Sequence, residues 1–274
     1  MFRDAIVNLS LNRNGDDTIR YAVSVAKYFN LHLTPVAIEY EFIATGSPFE
    51  TAAFCVVSNQ IEQSRELANA AARNFEHIAR QESILSNVAI IRSDLTGACN
   101  WFAKQARHHD LAIVTQPDPP APETLLIEAA LFESGRPVLV VPRAQKTPFT
   151  HGRIGICWNG SCNAARAVSD SMPFLKRGTT IEFISVADGD AKSDNFDTLG
   201  MKNHLARHDI QAVTVSLPKS KKTIAETIIA YSTDNQIDLL VLGGYGHSRL
   251  REYVLGGVTH DVLDWTTVPI LMSH

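Results

Sequence analysis

Gly243-Gly244-Tyr245-Gly246-His247-Ser248-Arg249-Leu250-Arg251-Glu252-Tyr253-Val254-Leu255-Gly256-Gly257-Val258-Thr259 follows the apolar stretch Ile237-Asp238-Leu239-Leu240-Val241-Leu242 and leads into a segment with helical spacing that ends at Trp265. The apolar stretch reads as a buried strand, and the segment from Gly257 through Trp265 reads as a helix that begins at the second glycine pair. A glycine loop therefore joins a strand to a helix. Glycine allows positive φ and removes the Cβ that would hold a phosphate off the backbone. Free N–H groups at a helix start add donors and the positive end of the dipole. The reading is nucleotide binding. Neither G-x-x-x-x-G-K-[ST] nor G-x-G-x-x-G fits these positions, which argues against a P-loop or a dinucleotide fingerprint.

Outward from this loop, the two halves of the chain repeat the same order of elements. Ala5 to Leu9 reads as a strand, Asp16 to Tyr28 as a helix and Leu33 to Ile38 as a strand. Arg153 to Trp158, Asn163 to Phe174 and Thr180 to Val186 answer them in the second half. Val88 to Ile91 corresponds to Ala212 to Val215, Leu111 to Val114 to Leu239 to Leu242, and Pro137 to Val141 to Pro269 to Met272. Near-continuous apolar strands between amphipathic helices imply parallel sheets covered on both faces. The expected fold is α/β, with two tandem doubly wound domains, each a five-stranded parallel sheet. The polar segment from Arg143 to Gly152 separates them, giving domains 1–147 and 148–274. Ligands of such folds sit beyond the carboxyl ends of the strands where strand order reverses. In the second half the loops there are Asn159-Gly160-Ser161 and the glycine run.

The spacing of Gly243, Gly246, Gly256 and Gly257 resembles the signature of the universal stress protein family: Gly, two residues, Gly, nine residues, Gly, then Gly or a small hydroxyl residue. The resemblance covers nearly the whole chain as two such domains, with an adenine nucleotide alpha hydrolase-like fold. Its motifs are concentrated in the second. It implies ATP or a related adenine nucleotide as ligand, with Mg²⁺ accompanying a triphosphate. The phosphates would lie on Gly243, Gly246, His247, Ser248, Gly256, Gly257, Val258 and Thr259, and the nucleoside on Asn159 and Val186. Two positions depart from the family's ATP-binding pattern. Asn159 stands where an Asp is usual, and Gly257 stands where Ser or Thr is usual, with Thr259 two residues later. Asn159-Gly160 is equally readable as a turn with Ser161 capping the following helix. The resemblance further implies a role in stress response, a cytoplasmic location, internal pairing of the two domains and an open question of homodimerisation. The alternative is a stress scaffold, or a carrier of another small ligand, that binds no nucleotide.

The first half lacks the glycine loop, because its fourth strand runs into Thr115-Gln116-Pro117-Asp118-Pro119-Pro120-Ala121-Pro122. Proline has no N–H to offer a phosphate. This loop reads as a rigid connection packed on the interface between the domains.

The 274 residues carry a formal net charge of −4 and no basic run, which argues against a nucleic-acid partner. No apolar stretch approaches the ~20 residues of a membrane span, so no membrane partner is expected. Cys55, Cys99, Cys157 and Cys162 lack C-x-x-C spacing and read as reduced core residues. No catalytic pair is visible, and hydrolysis would be slow and incidental. Gly246-His247-Ser248-Arg249-Leu250 fails as a nucleophile elbow because Leu250 occupies the place of a glycine. His204 and His208 have i, i+4 spacing without a third ligand, so no metal site is expected. His108-His109 reads as a solvated turn. Ile224, Ile228, Ile229, Trp101, Trp158 and Trp265 read as packing residues.

Overall fold

A computed structural model describes residues 2–11, 15–41, 51–84, 86, 88–117, 124–186, 191–218, 221–244 and 257–274, with backbone alone at 15–16, 51–57, 191–197 and 257–260. The first half contains β1 (Asp4–Leu9), α1 (Gly15–Phe29), β2 (His32–Tyr40), α2 (Thr51–Gln81), β3 (Ala89–Ser93), α3 (Leu95–Ala106), β4 (Leu111–Thr115), α4 (Thr124–Glu133) and β5 (Val138–Val141). The second half contains β6 (Arg153–Cys157), α5 (Cys162–Leu175), β7 (Thr180–Val186), α6 (Ala191–Ala206), β8 (Ala212–Leu217), α7 (Ile224–Asp234), β9 (Ile237–Gly243), α8 (Gly257–Trp265) and β10 (Ile270–Ser273).

The strands form one sheet in the order β3-β2-β1-β4-β5-β10-β9-β6-β7-β8. The second half thus repeats the order of the first, read inward from the opposite edge. Neighbours within each half are parallel, as their apolar runs require, because both faces are covered by helices. The halves join through β5 and β10, which are antiparallel with Leu139 opposite Leu271. Two separate sheets were the sequence expectation. Both joining strands are buried throughout and apolar except for Ser273, so each edge is satisfied only by pairing with the other.

One face packs Tyr21, Phe29 and Phe75 with Phe174 and Phe183, so the core on that side is continuous across the halves. The segment between the halves is part of it. Phe149 is buried beside Tyr28, Phe29 and Phe174, and its N–H donates to Ser24 Oγ at 2.7 Å. Pro35 interrupts β2, yet β3 begins only opposite Val36, so the missing N–H falls where the sheet has an open edge. Helix starts are capped by Asp94, Ser161 and Thr223, the last in a reciprocal capping box with Glu226.

Two packing expectations are corrected. Ile224 and Trp265 are exposed, at 47% and 72%. Ile224 opens α7 and Trp265 closes α8, where a terminal turn has no neighbour to cover it; Ile228, one turn into α7, is buried. His109 is half-buried rather than a solvated turn. Its Nδ1 lies 2.9 Å from Gln105 O and its Nε2 3.0 Å from Thr34 Oγ1. A carbonyl only accepts, so Nδ1 carries the proton and Nε2 accepts from the threonine.

Candidate functional site

The strand order reverses between β9 and β6, and the crevice beyond their carboxyl ends is the place where this fold leaves room for a ligand. One lip is the turn after β6. Gly160 has φ +71, a left-handed conformation that suits glycine. This brings Asn159 Oδ1 to accept the Ser161 N–H at 3.1 Å, and Ser161 Oγ accepts the Ala164 N–H at 3.1 Å to start α5. Asn159 is exposed, and its Nδ2 group remains available to a ligand. The turn reading and the ligand reading of Asn159 are therefore compatible.

The opposite lip begins at Gly243. A Cβ there would lie 2.5 Å from Ala164 N and 2.6 Å from Asn163 C, both backbone atoms of the first turn of α5. Glycine is needed so that the end of β9 and the start of α5 can touch. Asn163 Nδ2 donates to Gly244 O at 2.5 Å, and the Gly244 N–H donates to Ser273 O at 2.8 Å. The first two glycines of the run are thus tied both to the helix and to β10. Val186, half-buried, ends β7 opposite Leu217 and packs against the core cluster on that face. The α8 helix starts at Gly257, as the sequence indicates, so Gly257, Val258 and Thr259 form its first turn. Gly246, His247, Ser248 and Gly256 lie outside the described residues.

The equivalent crevice of the first half lies beyond the carboxyl ends of β1 and β4. Its floor is a cavity of about 10 Å³ lined by Asn8, Ser10, Thr115 and Gln116, room for about one water. Gln116, one of these lining residues, is 4% exposed. Its Nε2 lies 2.7 Å from Leu263 O, 3.1 Å from Asp264 O and 3.3 Å from Thr266 O, and its Oε1 accepts the Arg143 N–H at 3.2 Å. Gln116 therefore reaches from the first half to the carbonyl end of α8 in the second. Nothing local in the sequence marks that contact.

A buried acid escaped the sequence reading as well. Glu182 on β7 is 2% exposed and is held by Arg153 Nη2 at 2.5 Å and by the Tyr231 hydroxyl at 2.7 Å. It sits toward the amino ends of the strands, where Thr180 begins β7, and away from the crevice. Burial, followed by the Glu182 hydrogen bond and charge, raises the Tyr231 phenol above its ordinary range. Among the described residues no group of three or more His, Cys, Asp or Glu side chains is placed to hold a metal, and no helix is long and apolar enough to cross a membrane.

Sheet order and the position of the β6–β9 switch point define the second half as a doubly wound α/β domain. Residues 153–274 match the sequence model of the universal stress protein family. The second half therefore carries a universal stress protein domain. A 46-residue stretch is 50% identical to universal stress protein Slr1230 of Synechocystis sp., covering 17% of this chain and 16% of that protein. Among solved structures, a universal stress protein from Archaeoglobus fulgidus is similar with TM-score 0.66 at 14% identity, over 98% of this chain and 97% of that one. A universal stress protein from Pseudomonas aeruginosa is similar with TM-score 0.58 at 14% identity, over 99% and 93%. At these identities the structural likeness shows the fold, over both halves.

Proposed function

We propose that the second half binds ATP or a related adenine nucleotide, and that the two halves are paired universal stress protein domains, of which the first supports the second. The protein would act in stress response, with nucleotide occupancy altering the surface it offers a partner. The observation that carries this reading is the β9 lip. Gly243 is held bare against the first turn of α5, so β9 ends beside the turn that carries Asn159 and Ser161. The phosphates would lie along the glycine run and the first turn of α8, with Mg²⁺ accompanying a triphosphate, and Asn159 Nδ2 and the Val186 backbone would meet the nucleoside. The first half carries Gln116-Pro117 in place of the glycines after its fourth strand, which supports a single site.

The second reading is a stress scaffold, or a carrier of another ligand, that binds no nucleotide. It is favoured by the use of Asn159 Oδ1 on the Ser161 N–H, which leaves that side chain one donor group and no free charge for a ribose. Calorimetric titration of nucleotide-stripped protein with Mg-ATP separates the two, beside a Gly246→Val variant whose side chain would occupy phosphate space. Micromolar binding lost in the variant supports the nucleotide site. Absence of binding by the parent protein overturns it and leaves the scaffold.

A further inference from the structure

A cavity of about 490 Å³ opens where the first half meets α5 of the second, and none of its lining residues belongs to the candidate nucleotide crevice. Its size falls in the range of small-molecule sites, roughly 300 to 1,000 Å³. Both halves build it. Phe2 and Phe29, 7% and 4% exposed, bring an aromatic surface from the first half, and Met172 and Pro173 bring an apolar one from α5.

The charge around this apolar surface opposes that of the whole protein. Arg136, Arg166, Lys176 and Arg177 line the cavity against Asp110 and Asp170, a formal excess of two positive charges in a chain whose net charge is −4. Among the described residues one of the four cations meets a carboxylate: Arg166 Nε lies 2.8 Å from Asp170 Oδ2. Asp110 accepts the backbone N–H of Arg3 at 2.7 Å. Arg136 donates through Nε and Nη2 to Arg107 O, which fixes the guanidinium without cancelling it. The Arg177 guanidinium lies 5.1 Å from the centre of the Tyr28 ring and 5.3 Å from that of Phe29. Those two ring centroids are 5.0 Å apart, so both rings lie to one side of the guanidinium, whose N–H groups can still meet an oxyanion. Arg136, Lys176 and Arg177 have no carboxylate partner among the described residues. The carbonyl end of α5 offsets about half a unit of the excess, leaving roughly +1.5. A phosphate monoester carries about −1.5 to −2 near neutral pH, whereas a carboxylate carries one charge.

We infer that this inter-half cavity binds a phosphate monoester with an apolar or aromatic body. The body lies on Phe2, Phe29, Met172 and Pro173, and the phosphate between Arg136, Lys176 and Arg177. The site is separate from the nucleotide crevice and does not depend on it.

The test is fluorescence titration of the full chain with 1-naphthyl phosphate, with inorganic phosphate and 1-naphthol titrated separately and the first titration repeated under saturating Mg-ATP. The expected result is saturable binding of the ester, weakened by salt, unaltered by Mg-ATP or by Gly246→Val, and stronger than that of either fragment. Lys176→Glu and Arg136→Ser, changes at exposed side chains, should each weaken it about tenfold or more, equivalent to 1.4 kcal/mol, while the thermal midpoint stays in place. The inference is overturned if the parent chain does not bind the ester, if Mg-ATP displaces it, if either fragment binds as tightly, or if both substitutions leave the affinity unchanged.

Discussion

Gln116 Nε2 donates to Leu263 O at 2.7 Å across the joint between the halves, and within 3.3 Å it also faces the carbonyls of Asp264 and Thr266. A side chain from the end of β4 thus satisfies the last turn of α8, whose carbonyls have no partner within the helix. Gln116→Leu keeps the volume and removes the donor. It should destabilise the protein by about 2 to 3 kcal/mol, the cost of leaving buried acceptors unsatisfied. Urea unfolding would measure the loss, and hydrogen exchange should localise the weakening to α8. Unchanged protection of α8 would refute the capping role.

Gly243 and Gly200 should respond in opposite directions to alanine. At Gly243 the new Cβ meets backbone atoms of Asn163 and Ala164 at 2.6 and 2.5 Å, which cannot rotate away. A cost of about 2 to 4 kcal/mol is expected for overpacking against backbone, read as a lower thermal midpoint. Gly200 lies exposed within α6, and nothing stands within 4 Å of its added Cβ. Gly200→Ala should stabilise by about 0.5 to 1 kcal/mol through helix propensity.

Alkaline stability should depend on Tyr21 and Tyr231. Burial, followed by the charge of Asp238, pushes the Tyr21 phenol far above its ordinary range, and Tyr231 is raised by burial and by Glu182. The unfolded phenols ionise near pH 10, where the folded ones remain neutral. The stability they confer is therefore complete below about pH 10 and is lost as pH rises beyond it toward the folded values. Tyr21→Phe should flatten this alkaline decline, and Tyr231→Phe should do so to a smaller extent. A parallel slope in all three proteins, measured by denaturation between about pH 9 and 11, would contradict the assignment.

Thiol reactivity should be uneven. Cys162 is exposed at the start of α5, whereas burial raises the Cys99 thiol to about 11 and the Cys157 thiol to about 12. Since the thiolate is the reactive form, Cys162 should react before Cys99 and Cys157 with a disulfide reagent at neutral pH. Cys162→Ser should remove the corresponding fast phase. Labelling of Cys99 at the same rate would show that α3 opens readily.

Asn159→Asp tests the nucleoside contact of the proposed site. The carboxylate retains the acceptor for the Ser161 N–H and adds a second oxygen and a charge toward ribose hydroxyls. Mg-ATP should bind roughly tenfold more tightly, a gain of about 1.4 kcal/mol, with Gly246→Val removing the gain. Equal affinity in both proteins would place the nucleoside elsewhere.

Much of the fold was legible because strand and helix periods are local. The first helix of each half and the start of α8 at Gly257 fall within a residue or two of the positions read from spacing. Gly243 was identified as a glycine that must stay bare, for phosphate access; the structure adds that α5 itself presses against it. Ile224 and Trp265 misled because apolar character does not reveal whether a neighbouring surface arrives to cover it. Gln116 was legible only as part of a proline-rich loop, since its partners lie 147 to 150 residues further along.

By itself the sequence determined the alternation of strand and helix, the duplication of that order and the glycine lip of one crevice, because each rests on residue spacing within a single element or loop. Tertiary structure alone decided that β5 and β10 fuse the halves into one sheet, that Gln116 reaches across the joint to hold α8, and that cations from both halves surround an apolar cavity. Those outcomes depend on which surfaces meet after the elements form, and packing complementarity between distant segments leaves no periodic trace in the chain.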